Sequence, residues 1–248
     1  MEWEKELIVA LTSAVSREKG PTGILFSGGT DSSLLSLLAK VVNSNVMLYS
    51  SCTVDSHDSK WVPKAAEFLG LPLKIIKKGD EDVIDGIARI KEVTGEDSPL
   101  VLLIELPLYF VSLAAEEPTL LSGQGADELF FGYKKYESAD TSTEDLRKVM
   151  EEILPIERKI ASMHGKRIIY PYLDGDVIDL AHKIPKDLKI KDGIRKYVLR
   201  SAASGVGLNG EIAWRAKKAA QYSSGFKDAV SRTARKRNMK VHELIREL

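Results

Sequence analysis

The sequence is poor in the groups that cross-link small proteins or bind soft metals. Its 248 residues include a single cysteine, Cys52, and four histidines. One thiol cannot form an intramolecular disulfide or a metal site of several thiolates, and it suits a reducing compartment, so a cytoplasmic location is expected. His57, His164, His182 and His242 are scattered without metal-ligand spacing. No apolar run approaches the roughly 18 residues of a spanning helix, and no membrane partner is expected. The opening Met1-Glu2-Trp3-Glu4-Lys5 lacks the basic-then-apolar pattern of a signal peptide. An excess of either charge is also missing: 36 basic side chains balance 36 acidic ones. Nucleic-acid binders usually carry a basic excess, so nucleic acid is not expected as a partner. There is no internal repeat and no low-complexity linker.

What remains is an alternation of short apolar runs and amphipathic stretches. Trp3, Leu7, Ile8, Leu11, Ala14 and Val15 recur at helical spacing until Gly20-Pro21. Strands are predicted at Gly23–Phe26, Val46–Tyr49, Leu73–Ile76 and Thr119–Leu121. Helices are predicted after the first strand, over Asp58–Leu69 and Asp80–Val93, and over Leu100–Ala115 with an interruption at Pro107. Strands alternating with helices imply a parallel sheet covered on both faces. Beyond Tyr133 helices dominate, at Thr143–Met163, Gly175–Lys183, Gly193–Ala203 and Phe226–Leu248. The expected organisation is one domain over 1–248, with a sheet part to about 135 and a mainly helical part that closes the site. The charged stretch Arg232–Lys240 reads as a solvated helix face.

Two strand-to-helix turns carry chemistry. In Ser27-Gly28-Gly29-Thr30-Asp31-Ser32-Ser33 the glycines permit a tight turn and close approach of a ligand. The helix start that follows offers backbone donors and the positive end of its dipole, and the hydroxyls add donors, which together suit phosphate. Asp31 makes sense there if a Mg²⁺ lies between it and the phosphates. The simpler alternative is a helix cap in a tight turn, with Thr30 or Asp31 as the cap. No lysine follows the glycines, so this is not the G-x-x-x-x-G-K-[ST] loop, and G-x-G-x-x-G is absent. The second turn, Ser122-Gly123-Gln124-Gly125-Ala126-Asp127-Glu128, repeats the design. Loops at the carboxyl ends of neighbouring parallel strands face one crevice, so Asp31 and Asp127 are expected to share a metal.

The first turn resembles the S-G-G-x-D-S loop of the N-type ATP pyrophosphatases (the PP-loop superfamily). The second, through Gly132-Tyr133, resembles the S-G-E-G-A-D-E-L-F-G-G-Y signature of the asparagine synthetase synthetase domain. Tyr170-Pro171-Tyr172-Leu173-Asp174 is similar to that family's V-P-F-L-D. Gly193 to Arg200 is similar to its G-K-x-x-x-L-R region, with Lys196 at the pattern's lysine. Ala213-Trp214-Arg215-Ala216-Lys217 is similar to A-W-R-x-K, and Gln221 to Gly225 follow at a longer spacing. These motifs run in order from about Gly23 to Gly225.

The resemblance implies a doubly wound parallel five-stranded sheet of the adenine nucleotide α-hydrolase type with a helical C-terminal portion. It implies ATP and Mg²⁺ as cofactors. A small-molecule carboxylate would attack the α-phosphorus of ATP, and ammonia or an amine would then displace AMP. Ser27, Gly28, Gly29, Thr30 and Ser32 would cradle pyrophosphate, with Gly123 close to the nucleotide. Asp31 and Asp127 would bind the metal. Lys196 and Lys217 would neutralise phosphate charge, with Lys218 the neighbouring alternative to Lys217. Asp174 and Gln124 would stand near the acyl centre. Gln124 replaces the pattern's glutamate, and a neutral amide can hydrogen-bond but not act as a base near pH 7.

A form without the family's glutaminase domain is expected, with nitrogen from ammonia, an amine or a separate glutaminase chain. A homodimer is the other candidate assembly. The competing readings are a tRNA-modifying PP-loop enzyme and an inactive nucleotide-sensing subunit.

Overall fold

A computed structural model describes residues 2–43, 45–215 and 224–248. Helix α1 (Glu2–Ser16) buries Leu7, Leu11, Ala14 and Val15, the stripe read from the sequence. Strand β1 (Thr22–Leu25) leads into α2 (Thr30–Val42), and β2 (Val46–Cys52) into α3 (His57–Leu69). Then come β3 (Leu73–Lys77), α4 (Asp80–Thr94), α5 (Pro99–Ala114), β4 (Thr119–Leu121) and α6 (Ala126–Leu129). Helices α7 (Thr143–Lys148) and α8 (Leu154–Met163) precede β5 (Arg167–Ile169).

The five strands form one parallel sheet in the order β3-β2-β1-β4-β5. Their side chains alternate between the two faces, as strand geometry requires. Ile24, Leu48 and Leu121 join a cluster with Leu7, Leu34 and Leu199, while their neighbours Tyr49 and Leu120 join one with Ile87, Leu106 and Phe226. The doubly wound fold is therefore present. β1 lies in the middle, with β2 and β4 on its flanks, so loops from β2 and β4 border the loop that leaves β1.

Downstream follow α9 (Gly175–Lys183), α10 (Lys186–Lys189), the antiparallel strands β6 (Ile190–Lys191) and β7 (Ile194–Arg195), α11 (Tyr197–Gly205) and α12 (Gly210–Ala213). The helices Phe226–Lys236 and Val241–Glu247 end the chain. These C-terminal helices divide between the faces: Val177, Leu199 and Ile212 pack with α1 and α2, whereas Phe226, Val230 and Leu244 pack with α4 and α5.

Several boundaries differ from the sequence reading. Helix α5 runs through Pro107 without a break. Its burial against the sheet and α8 outweighs the roughly 3 kcal/mol a helical proline costs. The helix expected at Gly193–Ala203 starts only at Tyr197. Its first residues form a hairpin in which Asp192 and Gly193 both have positive φ, 52° and 73°, as an Asp-Gly type I′ turn requires. The run Thr143–Met163 contains a π-helical turn at Val149–Ile153, just before Pro155. Phe226–Leu248 divides at Asn238, φ 54°. The basic face near Arg232 is partly engaged, because Arg232 pairs with Asp80 of α4. Among the described residues no single helix is long and apolar enough to cross a membrane.

Candidate active site

The loop after β1 turns at Gly28, whose φ is +65°. A Cβ there would stand 2.7 Å from Nε1 of Trp61, so glycine is required both by conformation and by space. Trp61 of α3 donates its indole N–H to the Gly28 carbonyl at 2.8 Å. Gly29 is the N-cap of α2, and no side chain caps the helix. Neither Thr30 nor Asp31 plays the capping role, which leaves the first-turn amides facing the crevice without a side-chain acceptor. Ser27 and Ser32 close the loop on itself, with their hydroxyls 3.2 Å apart.

Thr30 is placed differently from its neighbours. Its hydroxyl is buried and donates to the carbonyl of Ala213 at 3.2 Å. Arg200 explains the arrangement. This buried guanidinium donates through Nη1 to Thr30 Oγ1 (3.3 Å), Ala213 O (2.8 Å) and Arg215 O (2.9 Å), and through Nε to Arg195 O (2.9 Å). One side chain of α11 thus ties the segment after α12 to the phosphate-type loop. Sequence reasoning quoted Arg200 within a motif but assigned it no role; its four partners lie up to 170 residues away.

Asp31 and Asp127 do converge, and they converge on Lys196. Its ammonium lies 2.7 Å from Asp31 Oδ2 and 2.7 Å from Asp127 Oδ1. Lys196 is 3% exposed. Burial alone would pull its pKa down, but the two carboxylates outweigh that and hold it above the ordinary lysine value. The same carboxylates add to burial in pushing the Tyr172 hydroxyl well up. Tyr172 also donates to the Asp31 carbonyl at 3.1 Å.

Glycines make this approach sterically feasible. A Cβ on Gly132 would fall 1.9 Å from Asp127 Oδ1 and 2.4 Å from Lys196 Cε. One on Gly123 would meet Asp31 Cβ at 3.3 Å, which places the second turn against the first, as expected. Gly125, φ 89°, is packed by Leu173, so 172–174 touches both turns. Asp174, however, caps α9 by accepting from the Asp176 amide and pairs with Arg17. The backbone N–H of Gln124 donates to Ser122 Oγ at 3.2 Å. Lys217 and Lys218 lie outside the described residues.

The residues present suit a divalent cation. Asp31 Oδ1 is buried without a hydrogen-bond partner, an acceptor placed where a hard cation would use it. Among the described residues no three His, Cys, Asp or Glu side chains gather to hold a metal alone. An ion at Asp31 and Asp127 would therefore draw its remaining ligands from phosphate oxygens and water.

Beside the loop lies a cavity of about 90 Å³ lined by Phe26, Ser27, Tyr49, Ser50, Asp58 and Ser224. A larger hollow of about 620 Å³ is lined by Glu137, Lys186, Asp187, Ile190 and Gly193. It includes neither turn, whereas the small cavity includes Ser27 of the first.

The family model described as asparagine synthase matches residues 5–156 and 140–244. The protein named "Putative asparagine synthetase [glutamine-hydrolyzing] 1" of Methanocaldococcus jannaschii is 29% identical over 90% of this chain and 50% of its own length. Asparagine synthetase B of Escherichia coli is 26% identical over 83% of this chain and 41% of its own. The Gallus gallus asparagine synthetase is 28% identical over 82% and 39%. The chain thus spans half or less of the length of these relatives.

Proposed function

Since the chain belongs to the asparagine synthase family, we propose that it is an ATP-dependent, AMP-forming amide ligase. The observation that carries this reading is the meeting of Asp31 and Asp127, from two strand-end turns, at one buried lysine. Such a constellation is suited to phosphate charge held beside a cation and has little use in a merely structural turn.

In the proposed reaction a carboxylate oxygen of the substrate bonds to the α-phosphorus of ATP. The bond from that phosphorus to the bridging oxygen breaks, and pyrophosphate leaves. The amine nitrogen then bonds to the acyl carbon, AMP departs with the acyl C–O electron pair, and the amine loses a proton. The first-turn amides of α2 and the Lys196 ammonium would stabilise charge on the departing pyrophosphate. Asp31 and Asp127 would hold Mg²⁺, which when bound neutralises phosphate charge. Lys217, with Lys218 as its neighbour, remains the proposed second cation.

The acyl side is proposed to lie between Gln124 and Asp174. With a neutral Gln124 and an Asp174 already paired to Arg17, neither is poised as a base, so the amine would arrive unprotonated. Free ammonia, an amine or a separate glutaminase chain would serve as the source.

The test is exchange of labelled pyrophosphate into ATP across a panel of carboxylic acids, with Asp31→Asn and Asp127→Asn as controls. Exchange dependent on one acid and lost in both variants is expected. Absence of exchange with every acid, despite measured ATP binding, would instead indicate a nucleotide sensor. Aspartate with ammonium, assayed for AMP and asparagine, decides whether the named reaction of the relatives extends to this chain.

A further inference from the structure

The two flanks of the loop after β1 are not alike. On the β4 flank, Lys196 at the start of α11 is already paired with Asp127 of the second turn and with Asp31. From the β2 flank comes α3, whose Trp61 holds the Gly28 carbonyl. Stacked on that indole is a second cation: the Arg215 guanidinium carbon lies 4.0 Å from the ring centroid. Nη2 of Arg215 stands 3.2 Å from Nδ1 of His57. A guanidinium can only donate, so the imidazole accepts, and among the described residues no carboxylate oxygen forms an ion pair with Arg215. Burial lowers its pKa, and the nearby Asp58 charge opposes that shift without reversing it.

The backbone of Arg215 is fixed as firmly as its side chain. Its carbonyl accepts from Arg200, which also reaches Thr30 of the loop. The residue is therefore anchored to Gly28 through Trp61 and to Thr30 through Arg200. A guanidinium held over an aromatic face by cation–π attraction can still donate through its remaining N–H groups, and a guanidinium fork engages phosphoryl oxygens with two parallel hydrogen bonds. A single imidazole nitrogen offers that fork one acceptor, where a phosphoryl group offers several charged oxygens.

Resting on the functional reading above, we infer that Arg215 binds the pyrophosphate portion of ATP from the β2 flank, opposite Lys196. Trp61 is its platform and His57 holds the fork in place until phosphate replaces it. The ligand class is a polyphosphate with at least two linked phosphoryl groups reaching beyond the α-position. Arg215 does not serve the adenosine or the α-phosphate.

The experiment compares binding of pyrophosphate and of AMP, each with Mg²⁺, by calorimetry for wild type, Arg215→Ala and Arg215→Lys, with thermal unfolding to verify the fold. Arg215→Ala is expected to weaken pyrophosphate about tenfold to a hundredfold while AMP affinity stays within about twofold. Arg215→Lys keeps the charge but loses the fork and should fall between. Equal pyrophosphate affinity in wild type and both variants would overturn the inference and leave the amide-ligase reading standing. Equal loss of AMP and pyrophosphate would also overturn it, since that marks a structural stack. A wild-type chain that binds neither ATP nor pyrophosphate would overturn the functional reading itself.

Discussion

Lys196 places its ammonium 2.7 Å from a carboxylate oxygen of Asp31, a residue 165 positions earlier in the chain. The lysine adopts a left-handed backbone, φ 57°, at the start of α11. Such a conformation costs a non-glycine residue on the order of 1 kcal/mol, which the buried ion pair offsets.

Replacing Lys196 with methionine leaves Asp31 and Asp127 facing each other without their cation. The expected loss is about 3–5 kcal/mol in chelator, because an unpaired buried charge is the costly outcome. Excess Mg²⁺ should raise the melting temperature of the variant more than that of the wild type. Equal Mg²⁺ shifts in thermal unfolding would contradict a cation site at these carboxylates.

Gly132 has no room for a methyl group, since a Cβ would overlap Asp127 Oδ1 and Lys196 Cε. Gly132→Ala must push these two groups apart. Pyrophosphate exchange should fall at least a hundredfold, with a stability loss of about 1–3 kcal/mol. Steady-state exchange together with urea unfolding separates the two effects.

Arg200 supplies four hydrogen bonds from one buried side chain, so Arg200→Met should cost about 2–4 kcal/mol. The loop and the segment after α12 would lose register with each other. Beyond lower stability, the KM for ATP should rise; a variant with unchanged KM would argue that the two segments do not cooperate in binding.

Glu157 is buried beside the Tyr170 hydroxyl, and burial raises its pKa from 4.5 to about 7, while nearby Glu105 is pushed up as well. Below about pH 4.5 the carboxyl is protonated in both folded and unfolded chains. Between about 4.5 and 7 the unfolded chain releases the proton and the folded chain keeps it, so stability falls as pH rises through that window. Glu157→Gln should flatten this fall, stabilising at pH 8 by on the order of 1–3 kcal/mol and changing little at pH 5. Urea titrations at the two pH values check it.

The sequence by itself determined the local elements whose signals are local. The stripe of α1, the runs that became β1, β2 and β4, and the glycine-acid turns after β1 and β4 were legible because periodicity and turn chemistry act over a few residues. That logic also brought Asp31 and Asp127 together in advance, since neighbouring parallel strands open on one crevice. β5 (Arg167–Ile169) is as short as β4 but leads into no glycine-acid turn that would mark it as a strand end. The Asp192-Gly193 hairpin lay hidden in a motif read as helix, and α5 kept its course through Pro107 because packing outweighed propensity.

Only the tertiary structure decided which cation sits on which carboxylates, that Thr30 turns to Ala213 instead of the crevice, and that Arg200 and the Trp61–Arg215 stack brace the loop. Those choices depend on groups far apart in the chain, such as Lys196 and Asp31, 165 positions from each other. Their energies come from burial and mutual charge, which exist only once the chain has folded.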